Sequence, residues 1–380
     1  MSGSRREFLE TGAALIGATA MGLFGATPAN AQTSGLESSG SSGAEQLSSA
    51  DQPYKPVRVL DTEKLPVEGF GGAPSMSGWG RKTLFYDPST QDRLSILYTP
   101  PGGQGAPVHY HTFHEWAYNI KGDFTNNEST CPEDRSGPYQ RFREGNFLDR
   151  PPHSLHGGER GREPWMASQV GSIILIMEEG GESYTIQKNE GSLYDYDMTI
   201  PAPGSPAPTV NSKTPIAGGM GMHYGPTSDP NFKDIKQWAI PRIIDTIDKL
   251  PYQPDPGVPG LGIKWLANDQ SRGFRVVIRY LPPGWKSSLA PQFARAYYYK
   301  QAHQFNWVIA GELNIQTYKS PGEKGETYVV KQHFMVERPP MSIFGLAEGN
   351  VTNSAVVWLE ATYAKGTHIP HIPIEEKTYV

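Results

Sequence analysis

Residues 103–122 read Gly103-Gln-Gly-Ala-Pro-Val-His109-Tyr-His111-Thr-Phe-His-Glu115-Trp-Ala-Tyr-Asn-Ile-Lys-Gly122. Side chains on an extended strand alternate faces with period two, so the odd-numbered His109, His111 and Glu115 project from one side. Two imidazoles and a carboxylate converging in this way form a partial metal site. A further ligand is offered by Gly145-Asn-Phe-Leu-Asp-Arg150-Pro-Pro-His153-Ser-Leu-His156. His114 falls on the opposite face, which suits a surface or packing role.

The two stretches resemble the paired motifs of the cupin superfamily. The first fits G-x5-H-x-H-x3-E-x6-G throughout. The second fits G-x5-P-x4-H, with His153 where the family has glycine and Arg160 where it has asparagine. The resemblance implies an all-β fold of jelly-roll barrels, with one divalent metal on His109, His111, Glu115 and His156.

The chain has 380 residues, room for two domains. With 42 glycines and 34 prolines it reads as short strands and turns and not as a helical bundle. A net charge of −5 without a Lys/Arg cluster gives no footprint for nucleic acid. The single cysteine, Cys131, forms no intramolecular disulfide.

Ser4-Arg5-Arg6-Glu7-Phe8-Leu9 resembles the twin-arginine export motif, and no charged residue follows Glu10 until Glu37. The apolar run from Ala13 to Ala26 is too short to span a bilayer, and Ala29-Asn30-Ala31 offers a cleavage site. The expectation is a signal peptide over 1–31, passage through the twin-arginine translocase, and a periplasmic or secreted protein with no stable membrane anchor. A Ser/Gly-rich leader over 32–54 follows.

The chain then repeats itself. Ser95-Ile-Leu-Tyr-Thr-Pro-Pro-Gly102 matches Val277-Ile-Arg-Tyr-Leu-Pro-Pro-Gly284, and Arg150-Pro-Pro-His153-Ser-Leu-His156 matches Arg338-Pro-Pro-Met341-Ser-Ile-Phe344. Together with the resemblance this implies two cupin barrels in tandem, at 55–225 and 263–380, joined by 226–262 with a helical turn around Lys233 to Leu250. The second copy has Gln304, Met341 and Phe344 where the first has Glu115, His153 and His156, and Ala290-Pro-Gln292-Phe falls near the place of His109 and His111. These side chains fill a core and bind divalent ions poorly, so the second barrel is expected to be metal-free.

Nitrogen and oxygen ligands without thiolate suit Fe(II) or Mn(II) first, with Cu(II), Ni(II) or Zn(II) also fitting. A dication with one carboxylate leaves about one positive charge, which favours an anionic enol, phenol or carboxylate substrate. Phe113 and Asn119 share the ligand parity and are candidates to line the pocket, while Arg143 and Arg150 are candidates to clamp a substrate anion. Glu115 and His153 are candidates for proton transfer, His153 equally for a turn. Trp116 and Tyr118, like Phe305 and Trp307 in the repeat, point the other way and suit packing between sheets or barrels.

Resemblance to quercetin and gentisate dioxygenases implies an oxygenase acting on a small molecule. Resemblance to oxalate decarboxylases implies a redox-neutral decarboxylase, lyase or isomerase. Seed-storage bicupins supply the non-catalytic reading. A homo-oligomer is a further expectation from the resemblance.

Overall fold

The computed structural model describes residues 54–69, 78–185 except 104, 107, 130–138 and 158–166, then 222–224, 231–364 except 256, 270, 295 and 348, and 372–373. The export motif, the leader, Cys131, Arg160 and most of the C-terminal arm lie outside the described residues.

The regular structure of the described chain is nearly all strand, arranged as two barrels of matching topology. In the first, the sheet order runs Glu68–Gly69, Gly80–Tyr86, Arg93–Thr99, Ser172–Glu178, Glu115–Ser129, Asn146–Arg150, Arg242–Asp245. In the second, the same order is met as Gln253–Pro254, Gly262–Asp269, Phe274–Leu281, Val356–Tyr363, His303–Ala310, Phe334–Arg338, Arg58–Asp61. The 15-residue strand Glu115–Ser129 continues from this sheet into the opposite wall of the first barrel. There it joins Tyr139–Arg143 and Leu155–Gly157, with His109–His111 beyond.

Glu115–Ser129 bends at a bulge. Opposite Ser172–Glu178 the register steps from Lys121 to Asn119, leaving Ile120 unpaired. The turn is completed at Gly122, whose φ is +79°. A Cβ on Gly122 would lie 1.9 Å from the Gly171 carbonyl oxygen, so only glycine fits this corner. The bulge inverts parity. Before it the odd-numbered Ala117 and Asn119 face the interior; after it the even-numbered Phe124 and Asn126 do so. The second barrel bulges likewise between Val308 and Ala310, before Gly311.

The last strand of each large sheet comes from the other half of the chain, which differs from the expected domain limits. Arg58–Asp61, expected with the first barrel, pairs with Phe334–Arg338 of the second. Arg242–Asp245, expected in a connection with a helical turn, is a strand paired with Asn146–Arg150 of the first; among the described residues the helical turn of this connection is Phe232–Asp234. The β-branched Ile243 and Ile244 favour the strand, which turns Ile244 to the shared core and Ile243 to the first barrel.

The exchanged strands are themselves a repeat, Arg58-Val-Leu-Asp-Thr62 against Arg242-Ile-Ile-Asp-Thr246. Each makes the same contacts. Arg58 meets Glu337 as Arg242 meets Asp149, and the Thr62 and Thr246 hydroxyls donate to the carbonyls of His333 and Gly145.

The two large sheets pack face to face over one shared core. Trp116, Phe147, Leu175 and Met177 of the first barrel meet Leu266, Phe274, Trp307 and Met335 of the second. Trp116 and Phe147 are completely buried, and the Trp116 indole N–H donates to the Tyr363 hydroxyl across the interface at 2.7 Å. His114 belongs here too. It bonds Asp149 at 2.6 Å and Glu179 at 3.0 Å, with its ring edge on Phe274. Its counterpart His303 bonds Glu337 at 3.1 Å and packs on Phe85. Both histidines therefore join barrel to barrel.

Candidate metal centre

Short strands bring three imidazoles together. His109 stands directly opposite His156 in the ladder, their ring centroids 4.2 Å apart, and His111 lies 4.9 Å from each. One nitrogen from each of the three falls within 4.8 Å of the others, all buried. Among the described residues no other His/Cys/Asp/Glu group has this arrangement.

The outer nitrogens fix how the rings face. His156 Nδ1 lies 3.0 Å from the Ser154 carbonyl, which can only accept, so Nδ1 carries the proton and Nε2 presents its lone pair. His111 Nδ1 is 2.7 Å from the Ser183 hydroxyl, while its Nε2 is buried with no hydrogen-bond partner. Burial, then Arg150 and the neighbouring His109 and His111, hold His156 well below the usual histidine range, so it is neutral. Neutral imidazoles with inward lone pairs are the form a divalent ion needs, and an orphaned buried nitrogen is costly without one. The three histidines fit a metal.

Glu115 is not part of that trio. One carboxylate oxygen accepts from Arg150 Nη1, and the other stands 3.4 Å from His111 Nε2 without hydrogen-bond geometry. Burial alone would raise Glu115. The Arg150 guanidinium and His111 outweigh it and hold the carboxyl far below the ordinary range, so Glu115 is ionised. Arg150 is also gripped by Glu128, through Nη2 at 2.5 Å and Nε at 3.3 Å. Burial pushes Glu128 upward despite Arg150, and the nearby Glu115 adds to the rise.

The trio opens on a cavity of about 110 Å3. Its walls are mostly apolar, with Trp79, Phe124, Phe142 and Leu148 prominent, and Arg150 and Asn119 are the polar contributions that matter below. Asn119 Nδ2 donates to the Phe142 carbonyl at 3.1 Å, which settles the amide's orientation and leaves Oδ1 a buried acceptor with no partner.

The remaining expected site residues lie elsewhere. Phe113 does not line the cavity; it stacks behind His111 at 4.4 Å and 24°. Arg143 is exposed on the hairpin, where its backbone N–H bonds Asn146. His153 is half-buried outside the cavity, with φ +65°. Its N–H donates to the His111 carbonyl at 2.7 Å, and its own carbonyl accepts from Ala239. Here His153 shapes the turn that seats His111, and Met341, φ +68°, does the same against Tyr299.

Glu128 and Ser183 were not singled out in the sequence. Glu128 lies beyond the bulge, so its even number conceals that it shares a face with Glu115.

The second barrel corrects one alignment. Tyr297 pairs with Phe344 as His109 pairs with His156, so Tyr297 and Tyr299, not Ala290 to Gln292, stand at the places of His109 and His111. The centre is filled by Arg338. Its guanidinium lies 3.8 Å from the Phe344 ring centroid, 5.0 Å from Tyr297 and 5.4 Å from Tyr299, and it donates to Gln304 at 2.7 Å.

No protein-family model and no curated protein sequence matches the chain. Solved structures do. A protein of Nostoc punctiforme, provisionally named a dioxygenase, aligns over 84% of this chain and 87% of its own at 14% identity and a TM-score of 0.52. Oxalate decarboxylase of Bacillus subtilis aligns over 86% of this chain and 82% of its own, at 14% identity and a TM-score of 0.49. The fold is that of a bicupin. In this two-barrel fold the first barrel carries a three-histidine cluster and the second carries an arginine packed in aromatic rings.

Proposed function

We propose that this bicupin is a metal-dependent dioxygenase acting on a small anionic organic substrate in its first barrel. The observation that carries the reading is the trio of buried histidines, each with a nitrogen within 4.8 Å of the others, on a small and largely apolar cavity. The ion, Fe(II) or Mn(II) by donor type, would supply Lewis acidity and reactivity toward dioxygen. Three protein nitrogens leave more of an octahedral ion free than four ligands would, enough for a chelating substrate and dioxygen together.

The cavity bounds the substrate. About 110 Å3 compares with about 150 Å3 for a cavity that takes up benzene, so the space beside the trio suits one ring or a short chain. Glu115 and Arg150 form a neutral pair, and Glu128, which accepts from Arg150 through both oxygens, adds one negative charge at most. A bound dication therefore leaves positive charge that an anion would neutralise. Asn119 Oδ1 offers an acceptor for a hydroxyl or amine on the same molecule. Hydroxylated carboxylates and phenols meet these demands. Export by the twin-arginine route, which the resemblance of Ser4 to Leu9 supports, would put the reaction outside the cytoplasm.

One observation favours a second reading. Glu115 is within reach of the trio, 3.4 Å from His111 Nε2, and its recruitment as a fourth ligand would suit a redox-neutral decarboxylase. Dioxygen uptake decides. The metal-loaded protein, offered a panel of small hydroxylated carboxylates and phenols under labelled dioxygen, is expected to place both labelled atoms in product. Carbon dioxide release without dioxygen uptake would sink the oxygenase reading.

A further inference from the structure

We propose that Glu115 and Glu128 act together to fix Arg150 as the receptor for a substrate carboxylate, and that the metal rests on the three histidines alone. The inference rests on the preceding reading that an ion occupies the histidine trio.

Arg150 is 4% exposed and yet lines the cavity. A guanidinium has five N–H donors. Glu128 takes Nε and one N–H of Nη2, and Glu115 takes one N–H of Nη1. The second N–H on each terminal nitrogen is left without an acceptor among the described residues. One N–H on each terminal nitrogen can then meet a carboxylate oxygen, and Arg150 cannot turn away because both neighbours hold it.

The second barrel shows what the carboxylates are for. It keeps the arginine, as Arg338, in the same Arg-Pro-Pro sequence. By ladder position, Thr317 opposite Phe344 replaces Glu128 opposite His156, and Gln304 opposite Arg338 replaces Glu115 opposite Arg150. The histidines are lost together with both carboxylates, and Arg338 sinks among aromatic rings. A buried arginine in this fold therefore does not require two acidic partners. In the first barrel they hold the guanidinium at the cavity wall.

Glu115 also has a reason not to ligate the ion. Reaching it would break the bond to Arg150 Nη1 and leave a desolvated guanidinium with one partner, and removing one side of a buried pair is strongly unfavourable.

The test uses the full chain loaded with Mn(II), following paramagnetic relaxation of the methyl protons of acetate and of its uncharged counterpart acetamide. Acetate is expected to be relaxed more strongly than acetamide in the wild type by about tenfold, and Arg150→Leu to lose that preference with manganese still bound. Glu115→Gln is expected to hold one manganese per chain with its Kd changed less than about threefold, where losing a true ligand costs more than about a hundredfold. Should Arg150→Leu not fold, Arg150→Lys keeps the charge without the fork and is expected to bind acetate about tenfold more weakly. Unchanged acetate relaxation in the Arg150 variants, or loss of manganese from Glu115→Gln, would overturn the proposal alone. Failure of the wild type to take up manganese would overturn the three-histidine reading and this one with it.

Discussion

Replacing His156 by alanine is expected to weaken divalent-metal binding by well over about a hundredfold, because losing even a residue that merely orients a ligand costs about ten- to a hundredfold. His156 is the member of the trio whose proton placement is least ambiguous, since its Nδ1 faces a carbonyl. The loss extends to stability. An ion that binds only the folded chain adds about 2.7 kcal/mol when present at a hundred times its Kd. Thermal unfolding with and without added metal should therefore show a shift for the wild type and none for His156→Ala. An equal shift in both would mean that the ion sits elsewhere.

Trp116→Ala is expected to be the most damaging single change away from the metal. Trp116 is fully buried where the large sheets meet, and its N–H is joined to Tyr363 of the other barrel. A buried tryptophan cut to alanine costs about 3–5 kcal/mol in lost burial and cavity formation. Tyr363, partly buried, loses the donor that its hydroxyl accepts, which adds about 0.5–1.5 kcal/mol. The sum rivals the whole stability of an ordinary domain, about 5–15 kcal/mol. Trp116→Phe restores most of the apolar contact and should retain only the hydrogen-bond part of the loss. Urea denaturation of the three proteins checks the order, and a Trp116→Phe variant as unstable as Trp116→Ala would contradict this division.

Much of the fold is legible because the two halves carry the same punctuation. Pro-Pro-Gly turns, bulge glycines and Arg-Pro-Pro runs recur in order, and they dictate the same strands twice. The trio is legible because His109 and His111 alternate and a spaced histidine follows. What escapes is non-local. Strand alternation tells which face a residue takes but not which half of the chain it pairs with, so the exchange of Arg58–Asp61 and Arg242–Asp245 stays hidden, although their sequences repeat. Tyr297 and Tyr299 are lost to alignment because tyrosine shares nothing with the histidines it replaces. Glu128 is lost to the bulge at Ile120, which exchanges odd for even. The pairing of Glu115 with Arg150 joins different strands, and no spacing within one stretch announces it.

The central claim is one ion on three imidazoles in one barrel. It is tested most directly by saturating the full chain with Co(II) and counting ions per chain beside the number of nitrogen ligands seen by X-ray absorption. The expected result is one cobalt per chain with three imidazole nitrogens, and none in a triple alanine variant of His109, His111 and His156. A second tightly bound ion surviving in that variant, or no ion in the wild type, would contradict the account.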